Sequence, residues 1–168
     1  MLGLIGVLTV REPDPDARID QVAFDNEFLA LSFQWLQEPE MAHLTQVPVF
    51  DRDGQRKWFE GLGGRTDYAV WGIRYNDIPV GALGLKDIGV NDGAEYFFYI
   101  GLKEYWGRGI AWWAYQTVSR EARDRGLRYL YGTIANHNTR SLSVHVGLGM
   151  QIAEVRESTY WVVADLNE

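Results

Sequence analysis

Between Ala94 and Ala122 the apolar residues change period across a glycine-rich turn, and few folds accommodate that change. Ala94 to Ile100 (A-E-Y-F-F-Y-I) has the aromatic content of a strand, whereas Ile110, Trp113, Ala114, Thr117, Val118 and Ala122 recur at helical spacing. Trp106 to Ala111 (W-G-R-G-I-A) joins the two. Gly126 stops the helix and Leu127 to Ile134 reads as a returning strand. The step repeats: a helix over Thr139 to Leu148 capped by Gly149, then strands over Met150 to Val155 and Thr159 to Leu166.

The first half has a different rhythm. Leu4 to Val10 and Ile19 to Phe24 read as short strands around Pro13-Asp14-Pro15, and Asp25 as the N-cap of a helix through Phe28, Leu31, Ser32, Trp35 and Leu36 that Pro39 ends. A second helix is predicted from about Asp53 to Leu62, closed by Gly63-Gly64. Tyr68 to Arg74 and Val80 to Leu85 form a hairpin about Asn76-Asp77, and Asn91-Asp92-Gly93 turns into the strand at Ala94. Antiparallel strands followed by helical crossovers give a mixed sheet with helices on both faces, α/β or α+β. Repeats and linker-like tracts are lacking, so residues 1–168 are read as a single domain.

Charge is distributed unevenly. The chain carries a net −7, which argues against nucleic acid as a partner. Residues 1–100 hold 8 basic and 16 acidic residues, residues 101–140 hold 7 and 3, and residues 141–168 hold 1 and 4. The positive stretch suits a small polyanion, although a solvated arginine face would explain part of it. With no Cys and three His, of which His43 and His137 show no ligand spacing, thiol chemistry is excluded and no metal site is expected. No apolar run approaches the roughly 18 residues of a membrane span, and Met1 to Val10 lacks a secretory pattern, so the expected partners exclude membrane and the expected location is cytoplasmic.

Glycines at W-G-R-G-I-A let backbone N–H groups converge at the positive end of the following helix, which makes an anion cradle; a turn built only for chain reversal is the alternative. It is neither a P-loop, since no Gly-Lys-Ser/Thr follows, nor a dinucleotide fingerprint, since Trp112 holds the third glycine's place. Asn138-Thr139-Arg140-Ser141 opens the next helix and Gly147-Leu148-Gly149-Met150 closes it. Taken in order over about residues 25–166, and most closely from Ala94 to Met150, the pattern resembles the GNAT superfamily of acetyl-CoA-dependent N-acetyltransferases. Gly109 and Ala111 fit that family's phosphate turn, while Trp106 stands where Arg or Gln is commonest, a mark of the branch holding ribosomal-protein N-terminal acetyltransferases and their small-molecule relatives. Asn138 and Ser141 match as well, whereas His145 stands where many members have Tyr and Met150 where Phe is usual.

The resemblance implies a GNAT fold: a mostly antiparallel mixed sheet splayed between two parallel central strands, with acetyl-CoA as cosubstrate in the opening. The backbones of Ile100 and Leu102 would pair with the pantetheine arm, and the N–H groups of Gly107, Arg108, Gly109, Ile110 and Ala111 would hold the pyrophosphate. Asn138 would bond the pantetheine or sulfur side, and Arg140 a cofactor phosphate. Direct attack by an amine needs a base, a polarised carbonyl and a proton for the thiolate. Glu95 matches the base of the N-terminal acetyltransferase branch, or is a surface ion-pair residue; the N–H near Leu102 is the oxyanion donor. His145, two turns along the same helix face from Asn138, is the proton donor or else a satisfied core histidine.

For the acceptor, Trp35, Trp58 and Trp71, with the run Tyr96-Phe97-Phe98-Tyr99, are the nearest aromatic positions, and the Trp35 and Trp58 segments look similar to acetyltransferases of nucleotide-linked amino sugars. The expected partner is therefore a small-molecule amine, with a homodimer compatible with that reading. A protein N-terminus or polyamine is the alternative, and a CoA-binding module without turnover is the rival class. Arg52, Arg56, Lys57 and Arg65 would serve an anionic acceptor; Glu38, Glu40 and Asp67 would serve a cationic one.

Overall fold

The computed structural model describes residues 10–168; apart from Val10, the strand expected over Leu4 to Val10 lies outside the described residues. The first described strand, β1 (Ile19–Ala23), leads through Asp25 into α1 (Asn26–Gln37), whose first turn donates from the N–H groups of Glu27 and Phe28 to the Asp25 carboxylate. Pro39 does end α1, but it also opens a helix the sequence did not reveal, α2 (Pro39–Thr45), capped by the Glu38 side chain. Proline is favoured at the first helical position, because its missing N–H would have no partner there. After α3 (Arg52–Gly61) come β2 (Tyr68–Tyr75), β3 (Ile78–Lys86) and β4 (Gly93–Ile100). The remainder is α4 (Ile110–Asp124), β5 (Tyr129–Ala135), α5 (Thr139–Gly147), β6 (Gln151–Val155) and β7 (Thr159–Asp165).

Seven strands form one sheet in the order β1-β2-β3-β4-β5-β7-β6 among the described residues. Every neighbouring pair is antiparallel except β4 and β5. The sheet is mixed and mostly antiparallel with helices on both faces, as the resemblance implies. Ile110, Ala114, Val118 and Ala122 press one stripe of α4 onto Ile73, Leu83, Leu85 and Leu130 of the sheet, and all eight are essentially inaccessible. Burying a residue of Leu or Ile size contributes about 1.5–3 kcal/mol, so this stripe anchors α4 and thereby the glycine turn at its start. Phe28 of α1 packs on the other face, against Gly72.

Candidate active site

The sheet opens at its centre. β4 and β5 pair only at Gly93–Tyr129, Ala94–Leu130 and Glu95–Tyr131. Beyond Glu95, β4 stays with β3 to Ile100 while β5 stays with β7 to Ala135. Backbone polar groups on the two diverging edges need partners, and a chain of amides lying between them would supply those as an added strand does. A cavity of about 1030 Å³ fills the opening, walled by both strands, the segment from α1 to α3, the glycine turn and the start of α5.

The turn has backbone geometry that can receive an anion. Gly107 and Gly109 take φ of +76° and +81°, which a side chain disfavours by about 1–2 kcal/mol. Gly109 caps α4 without any side-chain hydrogen bond, leaving first-turn N–H groups of a 15-residue helix at its positive end. Gly107, Gly109, Ile110 and Ala111 all line the cavity. Trp106 Nε1–H donates to the Ile100 carbonyl at 2.9 Å, tying the turn to the end of β4, and Arg140 lies 5.0 Å over the Trp106 ring. The tryptophan thus replaces a polar side chain with a clamp and a platform for a cation.

Both the expected base and the expected acid face the opening. Glu95 sits with one carboxylate oxygen 3.3 Å from Lys86 Nζ, its directly opposed partner in the β3–β4 ladder, and both line the cavity. His145 is buried beside Tyr96 and Phe98, with Nδ1 2.6 Å from the Ser141 carbonyl. A carbonyl only accepts, so Nδ1 carries the hydrogen and Nε2 a lone pair. Burial disfavours the imidazolium and pulls the pKa down to about 4.

That value has a consequence for stability. Between about pH 6.5 and 4 the unfolded chain binds a proton at this histidine that the fold rejects, so stability falls as pH falls through that window, by up to about 3 kcal/mol. His145→Phe should flatten the pH dependence of the melting temperature there; an unchanged slope would place the titration elsewhere.

A GNAT acetyltransferase domain model matches residues 21–151. The chain belongs to the GNAT acetyltransferases. It is an acetyl-CoA-dependent N-acetyltransferase. A search of curated proteins by sequence finds no match. Among solved structures, a domain from Methanocaldococcus jannaschii DSM 2661 superposes with TM-score 0.77 at 20% identity, covering 89% of this chain and 99% of that one. Spermidine N-acetyltransferase from Vibrio cholerae, in complex with CoA and spermine, gives 0.77 at 11% identity over 92% and 98% of the two chains. Campylobacter jejuni N-acetyltransferase PseH, in complex with acetyl coenzyme A, gives 0.67 at 12% over 88% and 99%. At these identities the likeness concerns the fold.

The acetyltransferase fold brings Ile100, Gly107, Gly109, Ile110, Ala111, Asn138, Arg140, Glu95, His145 and Trp58 to one cavity. Arg108 and Leu102 are not among its lining residues: the Arg108 side chain turns back, Nε–H donating to the Glu104 carbonyl, and the Leu102 side chain packs against the core. Asn138 Oδ1 caps α5 by accepting from Ser141 N–H, and its Nδ2 donates to the Leu44 carbonyl at the end of α2. The His137 ring stacks on His43 with centroids 4.0 Å apart and reaches the His43 carbonyl with Nε2, so this pair, 94 residues apart in sequence, ties α2 to the loop before α5. Among the described residues no group of three or more His, Cys, Asp or Glu could hold a metal.

Two of the three acceptor tryptophans lie elsewhere. Trp35 is buried beneath Gly101, where even a Cβ would come within 2.2 Å of the indole, and packs edge-on to Tyr99. Trp71 packs against the α4-side core, with Arg125 over its ring. None of the charges expected at the acceptor mouth lines the cavity: Lys103 pairs with Glu38 and Glu40, Arg65 with Asp67, Arg52 stacks on Phe33, and Arg56 and Lys57 are exposed. The run Tyr96 to Tyr99 lines the cavity as expected, whereas sequence reasoning missed Lys86, Phe24 and Tyr68. Lys86 was within reach, since antiparallel pairing of β3 with β4 sets it opposite Glu95; the aromatics depend on which face of each strand α3 covers.

Proposed function

We propose that the enzyme acetylates the primary amine of an amino sugar by direct attack on acetyl-CoA, with the glycine turn holding the pyrophosphate and Glu95 receiving the amine proton. One observation carries the acceptor class. Among the described charged residues lining the cavity, Glu95 is the sole carboxylate, against Arg11, Lys86 and Arg140. A polyamine keeps a second ammonium several bonds from the reacting one and needs a second carboxylate, and a basic peptide is no better served. The walls of Phe24, Trp58, Tyr68 and Phe97 suit the apolar face of a sugar ring, and Lys86 suits an anionic substituent such as the pyrophosphate of a nucleotide-linked sugar.

The chemistry balances without a covalent enzyme intermediate. The neutral amine adds to the thioester carbonyl, the nitrogen gives up its proton to Glu95, and collapse of the tetrahedral intermediate breaks the carbon–sulfur bond. The departing thiolate, whose conjugate thiol has a pKa of about 8.5, is protonated by water, and Glu95 returns its proton to solvent, so the proton lost by nitrogen is balanced by the one gained by sulfur. His145 does not fit the donor role, because its only N–H is held by Ser141 and Nε2 presents a lone pair. It serves instead as a buried wall of the cavity beside Tyr96 and Phe98.

Thiol release from acetyl-CoA, measured over free amino sugars, nucleotide-linked amino sugars, spermidine and a basic peptide, tests this reading. Amino sugars should support the fastest turnover. A preference for spermidine or the peptide overturns the acceptor class, and binding of CoA without turnover on any amine returns the chain to a binding module. Lys86→Gln should raise KM about tenfold for a nucleotide-linked acceptor and much less for an uncharged amino sugar. Equal effects on both would mean that Lys86 acts only on Glu95.

A further inference from the structure

We infer that Arg11, carried on a strap of chain ahead of the matched family domain, binds the pyrophosphate of acetyl-CoA. This rests on the reading that the glycine turn is the pyrophosphate site. Residues 10–13 precede the family match, which begins at residue 21, yet they lie across that turn. A Cβ placed on Gly109 would come within 2.3 Å of Pro13 N and 2.5 Å of the Glu12 carbonyl carbon, so backbone rests on backbone. Gly109 is buried as a result, although Gly107 and Arg108 just before it are exposed. Val10 and Arg11 line the same cavity as Gly107, Gly109, Ile110 and Ala111.

The charge balance of the turn leaves room for this cation. A pyrophosphate brings two negative charges, and the helix end offers about half a positive charge. Trp106 is neutral, the Arg108 guanidinium lies over Tyr105, and Arg140 is the one other arginine lining the cavity among the described residues. Arg11 is exposed and makes neither an ion pair nor a side-chain hydrogen bond among the described residues. The neighbouring Glu12 is exposed too, but does not line the cavity. The far end of the strap is fixed: Ala17 N–H donates to the Asp14 carbonyl and Arg18 N–H to Asn76 Oδ1 in the β2–β3 turn. Arg11 is thus delivered by a segment anchored at Ala17 and Arg18 and laid over the glycine turn.

Titration calorimetry on the full chain tests the inference. Arg11→Ala should weaken CoA about tenfold, the size of one charge-assisted contact, and weaken dephospho-CoA equally, because both carry the pyrophosphate. Arg11→Lys should recover part of the loss. Turnover with S-acetylpantetheine, which lacks phosphates, should not change. Unchanged or tighter CoA binding by Arg11→Ala would overturn the inference, the tighter case meaning that the strap obstructs the site. A loss confined to CoA would move Arg11 to the 3′-phosphate and overturn it as stated. Gly107→Asp separates the two levels: if it too leaves CoA binding intact, the pyrophosphate reading itself fails, whereas a loss there without one at Arg11 overturns the strap alone.

Discussion

Glu95→Gln is expected to lower turnover about a hundredfold or more while leaving the affinity for acetyl-CoA unchanged. The substitution preserves the shape of a side chain that lies between β4 and the cavity, and removes only its ability to take a proton. Lys86 loses its partner, but its side chain is 41% exposed and water can solvate it, so the fold should not suffer measurably. Raising the pH supplies neutral amine and hydroxide from solution, so the deficit should narrow on the alkaline side. Steady-state rates from pH 6 to 10, beside CoA titrations of both proteins, check this. A variant with wild-type turnover would leave Glu95 as the partner of Lys86 and nothing more.

The elements that place Glu95 were legible because local signals and tertiary packing agree there. The strand at Ala94, the turn W-G-R-G-I-A and the apolar stripe of α4 each follow from residue type and spacing, and the structure extends β4 only to Gly93. α2 was hidden because Pro39 signals a helix end and a helix start with the same covalent constraint. Trp35 was misplaced for another reason. Its helical spacing marked it as inward-facing, but an inward tryptophan either walls a cavity or fills space, and the missing side chain of Gly101 decides the matter. The surface charges failed as acceptor markers because ion pairing depends on neighbours brought by the fold, such as Lys103 between Glu38 and Glu40. The strap over Gly109 left no sequence signal, since nothing in V-R-E-P specifies what it lies against.

The same strap changes how the phosphate turn is best probed. Gly109→Asp would drive its Cβ into the backbone of Glu12 and Pro13, so lost cofactor binding there would combine repulsion with a displaced strap. Gly107 is the cleaner position. Its φ is also positive, but nothing lies within 4 Å of where a Cβ would stand, and Asp tolerates the left-handed region better than most residues. Gly107→Asp sets a carboxylate beside the cradle while the chain stays folded. Two like charges about 4 Å apart repel by about 4 kcal/mol at an intermediate dielectric, so even after screening the affinity for CoA should fall at least about a hundredfold. Gly107→Asn carries the same backbone strain without the charge and should bind within about tenfold of the parent. Calorimetric affinities and melting temperatures of the two variants, compared in low and moderate salt, isolate the electrostatic part, since screening should relieve the aspartate deficit and leave asparagine unmoved. Equal losses in both would mean that the turn's conformation, rather than an anion seated on it, is what the cofactor requires.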